Sequence, residues 1–189
     1  MKLHELITSS LTGQATLVIK NANVVNVFTD EIIKADVALC DDTIIGVGEG
    51  FTAPEVIDAE GAYLCPGFID AHVHIESSMV IPDSFARVIM PHGTTTIIAD
   101  PHEIANVAGV AGIRAIYKLT DDLPLRVMFM MPSCVPATPF ENSGATLIAE
   151  DMEQFMRKSR MLGLGEVMDC GSAINCSKDM LDKLRLFDG

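Results

Sequence analysis

The chain has 189 residues, 49% of them hydrophobic, and a mean hydropathy of +0.32, which is enough apolar material for a substantial globular core. A formal charge of −13 and an isoelectric point near 4.6 argue against nucleic acid or an anionic membrane surface as a partner, because phosphate binding needs clustered Lys and Arg. No apolar run has the length a membrane helix requires, and the opening MKLHELITSS places His4 and Glu5 where a secretory signal needs apolar residues, so the expected location is the cytoplasm.

From about Ala15 to Ala62 the sequence is rich in Val and Ile and punctuated by Asn, Asp and Gly, as in ATLVIKNANVVNV and DVALCDDTIIGVG. That pattern predicts short strands of a small all-β unit occupying residues 1–61. After Pro66-Gly67 the rhythm changes, and residues 62–189 alternate strand-like runs with helix-like segments. FIDAHVH predicts a strand, SFARVIM a helix, TTTIIAD a strand, IANVAGVAGIRAIYKL a helix and LRVMFMM a strand. LIAEDMEQFMRKSRML then predicts a helix, because Ile148, Met152, Phe155 and Met156 share one face at helical spacing. GLGEVM follows as a fourth strand and DMLDKLRLF as a last amphipathic helix. Repeated strand-helix units imply an α/β fold with a parallel sheet and right-handed crossovers. A closed (β/α)8 barrel takes about 250 residues, so four units amount to about half of one, with a four-stranded open sheet as the alternative. The pattern stops just after a helix, which reads as truncation.

The five cysteines, Cys40, Cys65, Cys134, Cys170 and Cys176, are odd in number and form no CxxC pair, which suits reduced thiols better than a disulfide framework. Each is expected to be a small buried hydrophobe.

The stretch PGFIDAHVHIESSM carries the chemistry. Side chains alternate across a strand, so Phe68, Asp70, His72 and His74 share one face, and Ile69, Ala71 and Val73 share the other, which a helix layer would cover. Two imidazoles then stand together at the carboxyl end of a strand, where α/β folds place their ligand sites. An HxH can also be two satisfied or surface histidines. Against that, three of the five histidines, His72, His74 and His102, fall at predicted strand ends on one rim. A bound cation is the stronger reading, and imidazole suits zinc, iron or manganese rather than calcium. Glu166 adds to it: in LGLGEVM its face also holds Leu164 and Met168, so a carboxylate is expected inside an apolar strand, where an unpaired ion would cost several kcal/mol. A salt bridge to a basic residue from elsewhere in the fold is the competing account.

Together, PGFIDAHVHIESSM, HGTTTIIADPHEIANVAG, SCVPAT and LGEVMD resemble the adenine deaminases of the amidohydrolase superfamily. PGFIDAHVH alone is specific only to the superfamily; the IESSM extension and DPHEIANV narrow it. The resemblance covers the whole chain and about the first third of the family's length. It implies a (β/α)8 metal-dependent hydrolase barrel flanked by a small β-sandwich built from N- and C-terminal segments, of which this chain supplies part of the sandwich and the first four strand-helix units. It also implies a binuclear divalent metal centre of manganese or iron, with zinc admissible. His72 and His74 match the first-strand ligands and Glu166 the bridging carboxylate of the fourth strand, while two more histidines and an aspartate lie beyond Gly189. The implied reaction is hydrolytic deamination of adenine to hypoxanthine and ammonia in purine salvage, by a metal-bridging hydroxide. The 189-residue chain is expected to be inactive alone, and a homo-oligomer is expected. DCGSAINCS stands where the family pattern would have a Pro-Gly loop.

His102 and Glu103 follow the second strand, on a rim loop where they would read a purine edge; a helix N-terminal Glu and a surface His is the plainer account. Asp70 would orient a ligand imidazole or serve as a buried structural carboxylate, Glu76, Ser77 and Ser78 would lie in the loop after the first strand close to a substrate, with loop capping the competing account and the preferred one for the serines, and Cys134 would be a packed thiol. The general acid or base is not assignable from these residues. Two other functions compete: an amidohydrolase acting on a cyclic amide, and a truncated, non-catalytic assembly module.

Overall fold

The computed structural model describes residues 3–188, which form two compact units, one through Pro66 and one from Gly67. In the first, strands β1 (Leu17–Asn26), β2 (Glu31–Cys40) and β3 (Thr43–Gly48) make an antiparallel meander, and β4 (Glu55–Asp58) and β5 (Tyr63–Leu64) pair with β1 in parallel. The strands anticipated between residues 15 and 62 are present, in a single sheet. Ala22, Val24 and Val37 are its buried centre. An apolar groove of about 530 Å³ runs along it, lined by Ile19, Val24, Val37, Leu39, Val47 and Leu64. Helix α1 (Leu3–Thr12), which the sequence reading did not anticipate, buries no residue and touches β3 through Ser10, whose hydroxyl donates to the Ile45 carbonyl at 2.9 Å.

In the second unit, β6 (Phe68–Val73), β7 (Thr94–Ala99), β8 (Arg126–Met131) and β9 (Met161–Leu164) form a parallel sheet in chain order. The helical segments between them are α2 (Pro82–Ile89), α3 (His102–Leu119) and α4 (Ala149–Met152), with α5 (Cys170–Ile174) and α6 (Lys178–Leu186) after β9. Pro82 opens α2 at a position where its missing N–H costs nothing. Alternation decides which side of the sheet is covered. Ile97, Ala99, Val127 and Phe129 pack with Ala86 of α2 and Ile116 of α3, and Met131 packs with Ala105, Ile113 and Met152. Burying a side chain of Phe129's size stabilises by about 1.5–3 kcal/mol. Thr96, Ile98, Met128 and Met130 point to the other side and are half-buried.

Helix α3 is broken at Gly109, whose φ of 56° and ψ of −141° are non-helical. A left-handed φ of this kind favours glycine. A β-carbon there would also press on Ala145 at 3.1 Å, because the chain after β8 crosses at the break, donating from Gly144 N to the Asn106 carbonyl at 2.9 Å. Arg160, just before β9, caps the other end of α3. Its guanidinium donates to the Tyr117 carbonyl at 2.6 Å and the Thr120 hydroxyl at 2.7 Å and lies 4.1 Å over the Tyr117 ring, a cation at the negative end of a helix.

Four expectations need correction. The helix anticipated through LIAEDMEQFMRKSRML is only α4 and a 3-10 turn over Glu153–Phe155, because Met161 already pairs with Phe129 in the sheet. Strand β9 ends at Leu164, so Glu166 stands beyond it with a side chain 40% exposed, and is not enclosed in an apolar strand. Ile69 is 64% exposed and not covered by a helix layer, because β6 is an edge strand with two register slips. Of the five free thiols only Cys40 and Cys134 are buried. No helix among the described residues is long and apolar enough to cross a membrane.

Candidate metal centre

The carboxyl ends of β6 and β7 and the segment after β9 converge on one carboxylate oxygen. His72 Nε2 lies 3.6 Å from Glu166 Oε1, His74 Nε2 lies 3.4 Å from it, and His102 Nδ1 lies 3.5 Å from it. The rings stand edge to face, with centroids 4.8 Å apart for His72 and His74 and 4.5 Å apart for His74 and His102. These separations are long for hydrogen bonds. They match donors on a shared ion, since ligand atoms 2.0–2.2 Å from one cation at tetrahedral angles sit about 3.4 Å apart.

One of these donors, His74, is oriented from behind. His74 Nδ1 lies 2.7 Å from the carbonyl oxygen of Asp100, so the Nδ1–H donates to it and Nε2 is left with its lone pair toward Glu166. His72 and Glu166 reach the cluster from exposed positions, with 48% and 40% of their side-chain surface open, whereas His74 and His102 keep 21% and 19%.

Asp100 is the residue of this cluster that the sequence reading passed over. It follows β7 directly and is 1% exposed. Its Oδ2 accepts from Glu166 N at 3.2 Å, and its Oδ1 faces His102 Nδ1 at 3.6 Å; neither of these last two atoms has a hydrogen-bond partner. Burial pushes the Asp100 carboxyl above its ordinary range, opposed by the neighbouring His102 and the Glu166 N–H. Two buried orphan atoms facing each other, with a third donor from Glu166, are what a cation would satisfy. The residues present therefore fit a metal: His72, His74 and Glu166 form one group with ligand atoms within 4.8 Å, and Asp100, His102 and Glu166 form another. The signal for Asp100 was in TTTIIAD, where it shares parity with Thr94, Thr96 and Ile98, the side turned away from the helices.

His102 and Glu103 occupy the first turn of α3 and not a loop. His102 joins the imidazole cluster, while Glu103 accepts from the Ser77 hydroxyl. Glu76 sits beside them, with Oε1 accepting from Ile104 N at 3.2 Å and Oε2 buried without a partner. Burial pushes its carboxyl up. Ser78 caps its own turn, donating to the Ile75 carbonyl at 2.5 Å. Asp70 is exposed and accepts from His72 N at 3.2 Å, so it is neither buried nor in contact with an imidazole nitrogen. Cys134 is packed at 4% exposure, with its sulfur accepting from Asp169 N at 3.2 Å.

Residues 63–185 match the model of the Amidohydrolase family. The chain is 52% identical over 183 residues to an adenine deaminase of Geobacillus kaustophilus, covering 97% of this chain and 32% of that protein. It is 53% identical over 173 residues to one of Clostridium acetobutylicum, covering 92% and 30%. The chain thus spans about a third of the length of the curated relatives it matches. Among solved structures, an N-acyl-D-glutamate deacylase from Bordetella bronchiseptica, complexed with zinc and a phosphonate inhibitor, superposes with a TM-score of 0.61 at 16% identity, over 92% of this chain and 43% of that one. A zinc complex of atrazine chlorohydrolase from Arthrobacter aurescens gives 0.56 at 17%, over 75% and 42%. At those identities the structures speak to fold alone, and it is the family match over residues 63–185 together with the sequence identity to curated relatives that establishes this chain as a member of the amidohydrolase family.

Proposed function

We propose that this chain carries the metal-binding part of an adenine deaminase, which converts adenine and water to hypoxanthine and ammonia. The observation that carries the reading is the convergence of three imidazole nitrogens on Glu166 Oε1 at 3.4–3.6 Å, in a chain half identical to curated adenine deaminases. His72, His74 and Glu166 would hold divalent metal, a binuclear manganese or iron centre with zinc as the alternative; the zinc in two related folds supports a divalent ion. When bound, the metal supplies an acidified water near neutral pH and a positive charge beside the attacked carbon.

The chain's own residues do the rest. His74 is locked by the Asp100 carbonyl in the tautomer that offers Nε2. Glu166, open on one side, would balance the charge of the site. His102 and Glu103, side by side at the start of α3, are assigned to the edge of the purine, with Glu103 steadied by the Ser77 hydroxyl. The parallel sheet is read as the first half of the (β/α)8 barrel and the first sheet as part of a sandwich. Five free thiols support a reducing, cytoplasmic setting.

The test joins this chain to the remaining two thirds of the Geobacillus kaustophilus relative, loads the product with Mn2+, and follows adenine, dihydroorotate and hydantoin by chromatography. Hypoxanthine and ammonia are expected from adenine, with loss of at least a hundredfold in His74→Ala. Turnover of a cyclic amide with none of adenine would replace the reading with the cyclic-amide hydrolase.

A further inference from the structure

We infer that Asp100 and Ser133 form a two-point clamp on the backbone of Glu166 and are positioning residues for the metal centre. The inference rests on the metal reading above and adds to it the device that holds its central carboxylate in place. Glu166 needs such a device. Strand β9 stops at Leu164, and the last backbone bond tying this segment to the sheet runs from Gly165 N to the Met131 carbonyl at 2.6 Å. Past that point the chain would be free to swing, and a half-exposed carboxylate would swing with it.

Two side chains, each 1% exposed, take over where the ladder ends. Asp100, beyond β7, accepts from Glu166 N through Oδ2 at 3.2 Å. Ser133, beyond β8, donates from Oγ to the Glu166 carbonyl at 2.5 Å. Both polar groups of the Glu166 peptide backbone are thus held from neighbouring strands, as a further rung of sheet would hold them. Gly165 fits the same arrangement, since a β-carbon there would run into the Asp100 carboxylate. Asp100 also serves a second donor. Its N–H donates to the Val73 carbonyl at 3.1 Å and its carbonyl receives His74 Nδ1–H at 2.7 Å, so one residue fixes the ring of His74 and the backbone of Glu166. Partners of metal ligands commonly affect metal affinity by 10–100-fold.

The test uses the whole chain and two readouts: Mn2+ affinity from the electron paramagnetic resonance of free Mn2+, and amide hydrogen exchange over residues 163–168 in metal-free protein. Asp100→Ala is expected to weaken Mn2+ binding about 10–100-fold and to speed exchange at Glu166 at least tenfold. Ser133→Ala is expected to do both about threefold. Asp100→Asn, which keeps an oxygen acceptor for Glu166 N, is expected to hold exchange at Glu166 within about threefold of wild type, whereas Mn2+ affinity is free to fall because Oδ1 also faces the imidazole cluster. Exchange in Asp100→Asn as fast as in Asp100→Ala overturns the clamp, as does unchanged exchange in Asp100→Ala and Ser133→Ala. Should Asp100→Ala fail to fold, the exchange rate in Ser133→Ala decides. Should neither the wild type nor its fusion to the remaining two thirds of the relative take up Mn2+, the metal reading fails by itself, and the clamp stands or falls on exchange alone.

Discussion

Under α2 and α3, Ile97, Ala99, Val127 and Phe129 are buried to 1% or less, and no side chain among them carries a polar atom. At the carboxyl ends of the same strands Asp100 is equally buried, yet its Oδ1 and the neighbouring His102 Nδ1 lack hydrogen bonds. The first region is built as any core is built, by removing apolar surface from water. The second leaves buried polar atoms unmatched, each at a cost of about 1–3 kcal/mol. A fold tolerates that where the atoms have another use, and the contrast separates residues that hold the sheet together from residues that the sheet holds out for a ligand.

The comparison can be broken most severely at Phe129. Phe129→Ala opens a cavity against Tyr117 and Ile116 and is expected to lower stability by about 3–5 kcal/mol in chemical denaturation. What remains folded should bind Mn2+ with unchanged affinity. Glu166→Ala should show the converse. Its side chain is half-exposed, so metal-free stability should move by about 0.5 kcal/mol or less. The stabilisation given by metal at a hundredfold excess over its Kd, about 2.7 kcal/mol, should vanish from its thermal melts. Arg160→Ala sharpens the same line between regions. It removes charged hydrogen bonds from the end of α3 on the side remote from the imidazoles, for an expected loss of about 2 kcal/mol with no change in metal affinity. The smallest effect is a pH dependence at Asp169, whose carboxyl is held below its ordinary range by the hydroxyl and N–H of Ser172. A depressed folded-state value means a contribution that is present above about pH 4 and is lost as pH falls through the folded value. Asp169→Asn should flatten that acid limb of the stability curve by lowering stability slightly at neutral pH, and leave it unchanged below the folded value.

Much of this was legible in the residues because strand periodicity and burial coincide. The alternation in TTTIIAD and LRVMFMM appears in the structure as one covered side and one half-open side. The HxH pair needed only the two-residue repeat of a strand to be placed side by side. What was not legible depended on contacts distant in sequence. The spacing of Ile148, Met152, Phe155 and Met156 is helical, but the tract is cut short because Arg160 is drawn to α3 and Met161 to β8. Glu166 reads as a strand residue by parity, yet the ladder ends before it, and what holds it there comes from residues 66 and 33 positions earlier. Asp100 could not be singled out from one strand, since its partners come from the segments after β6 and β9.

The break in α3 reaches further than its own turn. Eighteen helical residues in a straight rod would extend about 27 Å, and the axis set by Ile113 and Ile116 against the sheet would then dictate where His102 lies. With Gly109 acting as an elbow, the opening turn takes its direction from the chain that crosses it at Gly144 and Ala145. Aim at the imidazole cluster and grip on the core become separately adjustable, so substitutions at that crossing should shift His102 against Glu166 without loosening the scaffold.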